Sequence, residues 1–213
     1  MIPARDALDR LREGNRRFAG DFRHRTHLGA RRREVAIAQN PFAIILGCSD
    51  SRVPAEIVFD QGLGDLFVIR VAGNVVAPSQ IGSVEFAATQ YGTRLVVVLG
   101  HTSCGAILAT IDELSRSTEQ QSRHLASIVN RIRPSIEVLM HTELANDRDT
   151  LVRHAVRANI GASVSHLRHG SELIETLIAK DGLVVIGAEY SLDTGLVEFF
   201  DGVPEPAIAL AER

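Results

Sequence analysis

Apolar residues in this chain come in short unbroken runs bounded by glycine and turn residues: 42–47 (FAIILG), 65–71 (DLFVIRV), 94–99 (RLVVVL) and 183–188 (LVVIGA). Runs this short, with no polar alternation, suit strands of a parallel sheet buried on both faces. Helical periodicity fills the gaps. "SQIGSVEFAATQYG" puts Ile81, Val84, Ala88 and Tyr91 on one stripe, with Ser79 as the expected N-cap and Gly92 as the stop. "PARDALDRLREGNRRF" spaces Leu8, Leu11 and Phe18 as an amphipathic N-terminal helix. Residues 24–40 read as irregular to helical, with Arg31–Arg33 as a solvated face. From 105 to about 179 the pattern is mainly helical, with Pro134 as a kink or break. "SELIETLIAKDG" carries a capping serine and a glycine stop. "LVVIGAEYSLDTGLVEFF" reads as strand, turn at Asp193-Thr194-Gly195, and strand. The prediction is an α/β fold: a mostly parallel central sheet flanked by helices, with an amphipathic N-terminal helix and an antiparallel edge strand. One domain over 1–213 is expected, with 1–40 as a helical arm.

Composition narrows the class. A chain of 213 residues, 45% hydrophobic and 23% charged, has the make-up of a folded domain with a sizeable core. A net charge of −3 gives no electrostatic reason to expect nucleic acid or an anionic membrane as partner. Of the 23 basic residues only Lys180 is a lysine, a compositional bias without functional weight. The charged N-terminus has no apolar core of a signal peptide, and no run approaches the ~18 apolar residues of a membrane span. A cytoplasmic protein is the expectation. Its two cysteines are then free thiols, catalytic groups or metal ligands rather than a disulfide framework.

Both cysteines fall where the apolar runs end. "FAIILGCSDSRVP" and "RLVVVLGHTSCGA" each break off into polar residues, and sites in parallel sheets form at such carboxyl ends. In an extended 48–52 segment, Cys48, Asp50 and Arg52 project to one side. His101 and Cys104, three apart, share a face at a turn or helix start. Two thiolates, an imidazole and a carboxylate (Cys48, Cys104, His101, Asp50) are a donor set that suits tetrahedral zinc and disfavours magnesium or calcium. Buried cysteines are commonly just small apolar side chains; their position directly after buried strands, among polar residues, argues against that here. The other seven histidines have no such context, although His166 and His169 stand three apart. Phosphate-loop, HExxH, GxSxG and CxxC motifs are absent.

Together, "CSDSRV" and the later "HTSCG" resemble the β-class carbonic anhydrases. The resemblance extends to "LREGNRRF", "FDQGLGDLFVIRVAGN", "GSVEFA" and "GAEYSLDTGLVEFF". It implies zinc on Cys48, His101 and Cys104, beside an Asp50–Arg52 pair. In some members the aspartate takes the fourth zinc position; in others it turns to the arginine and water or hydroxide enters. The resemblance also implies substrate contacts at Gln39, Phe67, Phe86 and Gly105. Where a subgroup with an inhibitory bicarbonate site has tryptophan, this chain has Ile45. Homodimers or homotetramers are implied, with the pocket at a subunit boundary and the N-terminal helix packing on a neighbour.

The implied activity is reversible hydration of carbon dioxide to bicarbonate and a proton by zinc-bound hydroxide. Zinc lowers the pKa of bound water from ~15.7 towards ~7. Two thiolates offset the metal's charge, so activity is expected to climb towards pH ~8. Competing readings are a zinc hydrolase for carbonyl sulfide or carbon disulfide, a non-catalytic zinc domain and a thiol redox protein. Asp50, Arg52 and Gln39 together have no use in a non-catalytic domain.

Overall fold

The computed structural model describes residues 2–22, 28–115 and 123–204. Five strands make one sheet: β1 Ala43–Gly47, β2 Leu66–Arg70, β3 Leu95–His101, β4 Val184–Tyr190 and β5 Val197–Asp201, in the order β2-β1-β3-β4-β5. The first four are parallel, and β5 pairs antiparallel with β4 at one edge. The helices are α1 Ala4–Ala19, α2 Leu28–Glu34, α3 Ala55–Val58, α4 Pro78–Gln90, α5 Gly105–Leu114, α6 Arg123–Ile136, α7 Arg148–His169 and α8 Glu172–Lys180. No helix among the described residues is long and apolar enough to cross a membrane.

The unbroken apolar runs arise because the sheet has a core on each face. Ile44, Leu46, Val96, Val98 and Val185 point to the side covered by α4 to α8. Ala43, Ile45, Leu95, Val97, Leu99, Ile186 and Ala188 point to the side covered by α1 and α3. Successive side chains alternate between faces, so a strand covered on both sides needs an apolar residue at every position.

The apolar stripe of α1 packs on the chain's own sheet. Ala4, Ala7, Leu8 and Leu11 are buried in the second core. The backbone comes so close at Gly14 that a Cβ would stand 1.9 Å from the Phe59 carbonyl oxygen. Buried Asn15 then ties three segments together. Its Nδ2 donates to Val58 O (3.2 Å) and Gly195 O (2.8 Å), and its Oδ1 accepts from Val197 N (2.8 Å).

Two local expectations change. Ser79 does not cap α4: the helix starts earlier, with Ala77 as N-cap and Pro78 in the first turn, where its fixed φ and missing N–H carry no penalty. Arg31 is not a plain solvated charge. It donates to Asp65 Oδ1 (3.0 Å) and Leu63 O (3.0 Å), pinning α2 to the loop before β2. Residues 24–27 of the segment read as irregular, His24 and His27 among them, lie outside the described residues. Ser171 does cap α8, accepting from Ile174 N at 3.2 Å. Pro134 sits in the last turn of α6, which ends at Ile136, so the mainly helical stretch does break close to it before α7 begins at Arg148.

Candidate metal centre and active site

Parallel strands deliver their carboxyl ends to one edge of the sheet. Cys48 follows the last residue of β1, His101 is the last residue of β3, and these two strands are neighbours. Cys104 is the N-cap residue of α5, reached through Ser103 in a left-handed conformation (φ 54°). One ligand atom each from Cys48, His101 and Cys104 lies within 4.8 Å of the others, and all three residues are buried. The two Sγ atoms are 4.0 Å apart.

The donor chemistry of this group fits a metal ion. His101 Nδ1 lies 2.9 Å from the Thr102 carbonyl oxygen. A carbonyl only accepts, so Nδ1 carries the proton and Nε2 keeps a free lone pair. That Nε2 is buried with no protein partner, a costly arrangement that a bound cation resolves. The thiols point the same way. Cys48 is held down to about 4, chiefly by its hydrogen bond with Cys104, with His101 and the N–H groups of Gly73 and Asp50 acting against burial. Cys104 is pushed up by the same bond and by burial. One thiolate forms readily, whereas a second 4.0 Å away needs a cation between them.

Of the two positions foreseen for Asp50, the carboxylate takes the arginine-paired one. Arg52 Nε donates to Oδ1 (2.9 Å) and Nη2 to Oδ2 (2.8 Å), while the Arg52 backbone N–H donates again to Oδ1 (2.9 Å). These bonds hold the Asp50 carboxyl well below the usual carboxylate range. Asp50 Oδ2 still stands 3.9 Å from His101 Nε2, beside the ligand group rather than in it. Gly105 opens α5 next to Cys104, and a Cβ there would meet open space.

Gln39, Phe67 and Phe86 do not join these residues. They gather with Tyr91 into a separate cluster. Gln39 Nε2 donates to Tyr91 Oη at 2.8 Å, and the Phe67, Phe86 and Tyr91 rings lie 5.7 to 6.1 Å apart. Phe67 pairs in register with Ile44, four residues before Cys48 and so ~13 Å along the sheet. Strand β2 is the end strand of the sheet, which leaves this cluster at its open edge.

Sequence reasoning missed Arg70. From the end of β2 it donates to Cys48 O (3.0 Å) and Asp50 O (2.6 Å), fixing the loop that carries both. The available signal was a lone arginine closing the apolar run "LFVIR" at a strand's carboxyl end. Tyr91 was assigned only to a helix stripe, and its hydroxyl contact with Gln39 has no periodic signature.

Residues 43–197 match the family described as Carbonic anhydrase. The chain is 40% identical over 188 residues to "Carbonic anhydrase 2" of Mycobacterium tuberculosis, covering 87% of each sequence. The fold is similar to the β-carbonic anhydrase CafA of Aspergillus fumigatus, with a TM-score of 0.72 and 24% identity over 94% of this chain and 91% of that one. It is also similar to a structure from a study of two tetrameric β-carbonic anhydrases of Sordaria macrospora, with a TM-score of 0.70 and 23% identity over 81% and 90%. The chain belongs to the β-class carbonic anhydrases, and with them to the carbonate dehydratases.

Proposed function

We propose that this chain hydrates carbon dioxide reversibly to bicarbonate and a proton, using a zinc ion held by Cys48 Sγ, His101 Nε2 and Cys104 Sγ. The observation that carries the proposal is the buried, unpartnered His101 Nε2 facing two cysteine sulfurs, with Asp50 Oδ2 3.9 Å away and tied to Arg52. Bound zinc would supply Lewis acidity that makes a coordinated water easier to deprotonate at near-neutral pH.

The chain's own groups supply the rest. Arg52 keeps the Asp50 carboxylate ionised and bonded to its guanidinium, beside the three residues that would hold the ion rather than among them. An ionised carboxylate accepts hydrogen bonds and cannot donate them. A group beside Asp50 Oδ2 must therefore present a proton, which water does and which bicarbonate does only through its hydroxyl. Asp50 thus acts as an orienting acceptor and Arg52 as its holder. Arg70 fixes the backbone under both. Gly105, without a side chain, leaves room beside Cys104 for a small substrate.

Gln39, Phe67 and Phe86 are proposed to line the substrate pocket of a neighbouring subunit, making the enzyme a homodimer or homotetramer. The ~13 Å offset of Phe67 from the ligands, and the place of the whole cluster at the open sheet edge, support this. The proposal treats residues 1–213 as one catalytic unit with a helical arm before residue 41. It also places the protein in a reducing compartment such as the cytoplasm, where Cys48 and Cys104 remain ligands.

Stopped-flow hydration of carbon dioxide from pH 6.5 to 9, on protein of known zinc content, tests the proposal. Activity that climbs with pH at one zinc per chain is expected. Zinc-loaded protein that is inactive throughout would overturn it and direct the assay to carbonyl sulfide and carbon disulfide.

A further inference from the structure

Between β2 and α4 the chain crosses the metal centre in a tight turn at Ala72–Asn74. Two successive residues of this turn are left-handed, Gly73 at φ 70° and Asn74 at φ 44°. The turn brings Gly73 N to 3.4 Å from Cys48 Sγ, within hydrogen-bond reach of a sulfur acceptor. It is tightly enclosed: a Cβ on Gly73 would lie 2.8 Å from Ile132 Cδ1 of α6 and 3.1 Å from Ala106 Cβ of α5.

Both carbonyls of the left-handed pair are taken by one helix. Asn159 Nδ2 of α7 donates to Gly73 O at 2.8 Å, and Ser163 Oγ donates to Asn74 O at 3.0 Å. The two residues stand one helical turn apart, so they share a face. Both are buried, on a stretch of α7 whose other inward residues, Ala155, Val156, Ile160 and Val164, are apolar. Polar side chains in such a place are costly unless bonded, and these two find partners in the turn over Cys48.

An N–H that donates to a thiolate withdraws electron density from the sulfur and so weakens its donation to a metal. Groups that orient or bond first ligands in this way commonly alter metal affinity or activity ~10–100-fold. We propose that Asn159 and Ser163 are positioning residues that lock Gly73 N–H onto Cys48 Sγ, and thereby set how strongly that thiolate donates to the bound metal. The inference rests on the metal-site assignment made above. Neither residue touches a ligand; both act through Gly73.

The test uses full-length protein loaded with cobalt(II), read by its sulfur-to-cobalt charge-transfer band, together with zinc affinity by chelator competition. Asn159→Leu keeps the side chain's bulk without its donor. Ser163→Ala is the milder variant, and reports on the clamp even if Asn159→Leu does not fold. Ser163→Thr restores the hydroxyl. Val156→Ala, on the same helix, weakens packing while leaving both hydrogen bonds to the turn in place. The expected result is a band moved to longer wavelength and zinc affinity changed ~10-fold in Asn159→Leu and Ser163→Ala. Ser163→Thr and Val156→Ala keep the wild-type band. A wild-type band in both clamp variants, or an equal shift in Val156→Ala, overturns the inference while leaving the metal site standing. Wild-type protein that binds neither cobalt nor zinc overturns the metal assignment and the inference together.

Discussion

Arg52 holds both carboxylate oxygens of Asp50, Nε on Oδ1 at 2.9 Å and Nη2 on Oδ2 at 2.8 Å, from only two residues along the chain. The pair stands beside the ligand group without entering it, because a planar guanidinium fork matches a carboxylate in two places at once. Replacing Arg52 frees the carboxylate to swing towards the metal. Arg52→Ala should lower activity by ~100-fold or more while zinc remains bound at one per chain. Arg52→Lys, which keeps the charge but loses the fork, should restore only part of the activity. Loss of zinc from Arg52→Ala, measured by elemental analysis, would make the arginine a structural support instead.

The ligand group predicts how the protein responds to metal removal. A metal that binds the folded chain alone stabilises it by mass action. Chelation should therefore lower the melting temperature, and zinc should restore it. His101→Ala should be insensitive to both, since it removes the one imidazole donor. Differential scanning calorimetry with and without chelator checks this; an equal response in His101→Ala would disqualify the histidine as a ligand.

Asn15 joins α1 to the end of α3 and to the β4–β5 turn through three bonds from one buried side chain. Asn15→Leu leaves two carbonyls and one N–H without partners. At ~1–3 kcal/mol for each buried polar group stranded, the loss should be at least ~3 kcal/mol. Urea unfolding of the two proteins measures it. A change below ~0.5 kcal/mol would mean that water replaces the side chain.

Asp147 caps α7, with Oδ1 accepting from Asp149 N (3.1 Å) and Thr150 N (3.3 Å). Its carboxyl is held below the usual range, chiefly by the Thr150 hydroxyl and N–H. A depressed native pKa means that the charged cap's stabilisation is fully present above the unfolded value of ~3.9 and is lost as pH falls through the lower native value. Asp147→Asn keeps an acceptor but not the charge. Its stability deficit at pH 7 should shrink as pH is lowered towards 3. A deficit constant across that range would show that charge plays no part.

The metal trio could be read from sequence because each member breaks an apolar run at a strand end, and the strands because burial on two faces makes those runs unbroken. The N-terminal stripe of Leu8 and Leu11 announced burial but not what would cover it; the answer, the chain's own sheet, depends on Gly14 meeting Phe59, 45 positions away. Ser79 drew attention as a cap because serine so often is one, and the proline before it took over. Arg70, Tyr91, Asn159 and Ser163 act through single contacts to distant backbone or side-chain atoms. No spacing rule registers such contacts, so they emerge only once the chain is folded.

Strands β1 and β3 are flanked on both sides within the sheet; Cys48 follows β1 directly, His101 closes β3, and Cys104 opens α5 three residues later. Interior strands are usually the last part of a protein to open, at free energies near those of global unfolding. Loss of an ion held there should therefore be coupled to opening of these strands more than to the breathing of a surface loop. Amide protons of Ile45 and Val98 should then exchange with solvent only about as fast as the protein gives up its metal. Kinetic retention of the ion would follow from where the sheet places its ligands, even under conditions that favour its loss.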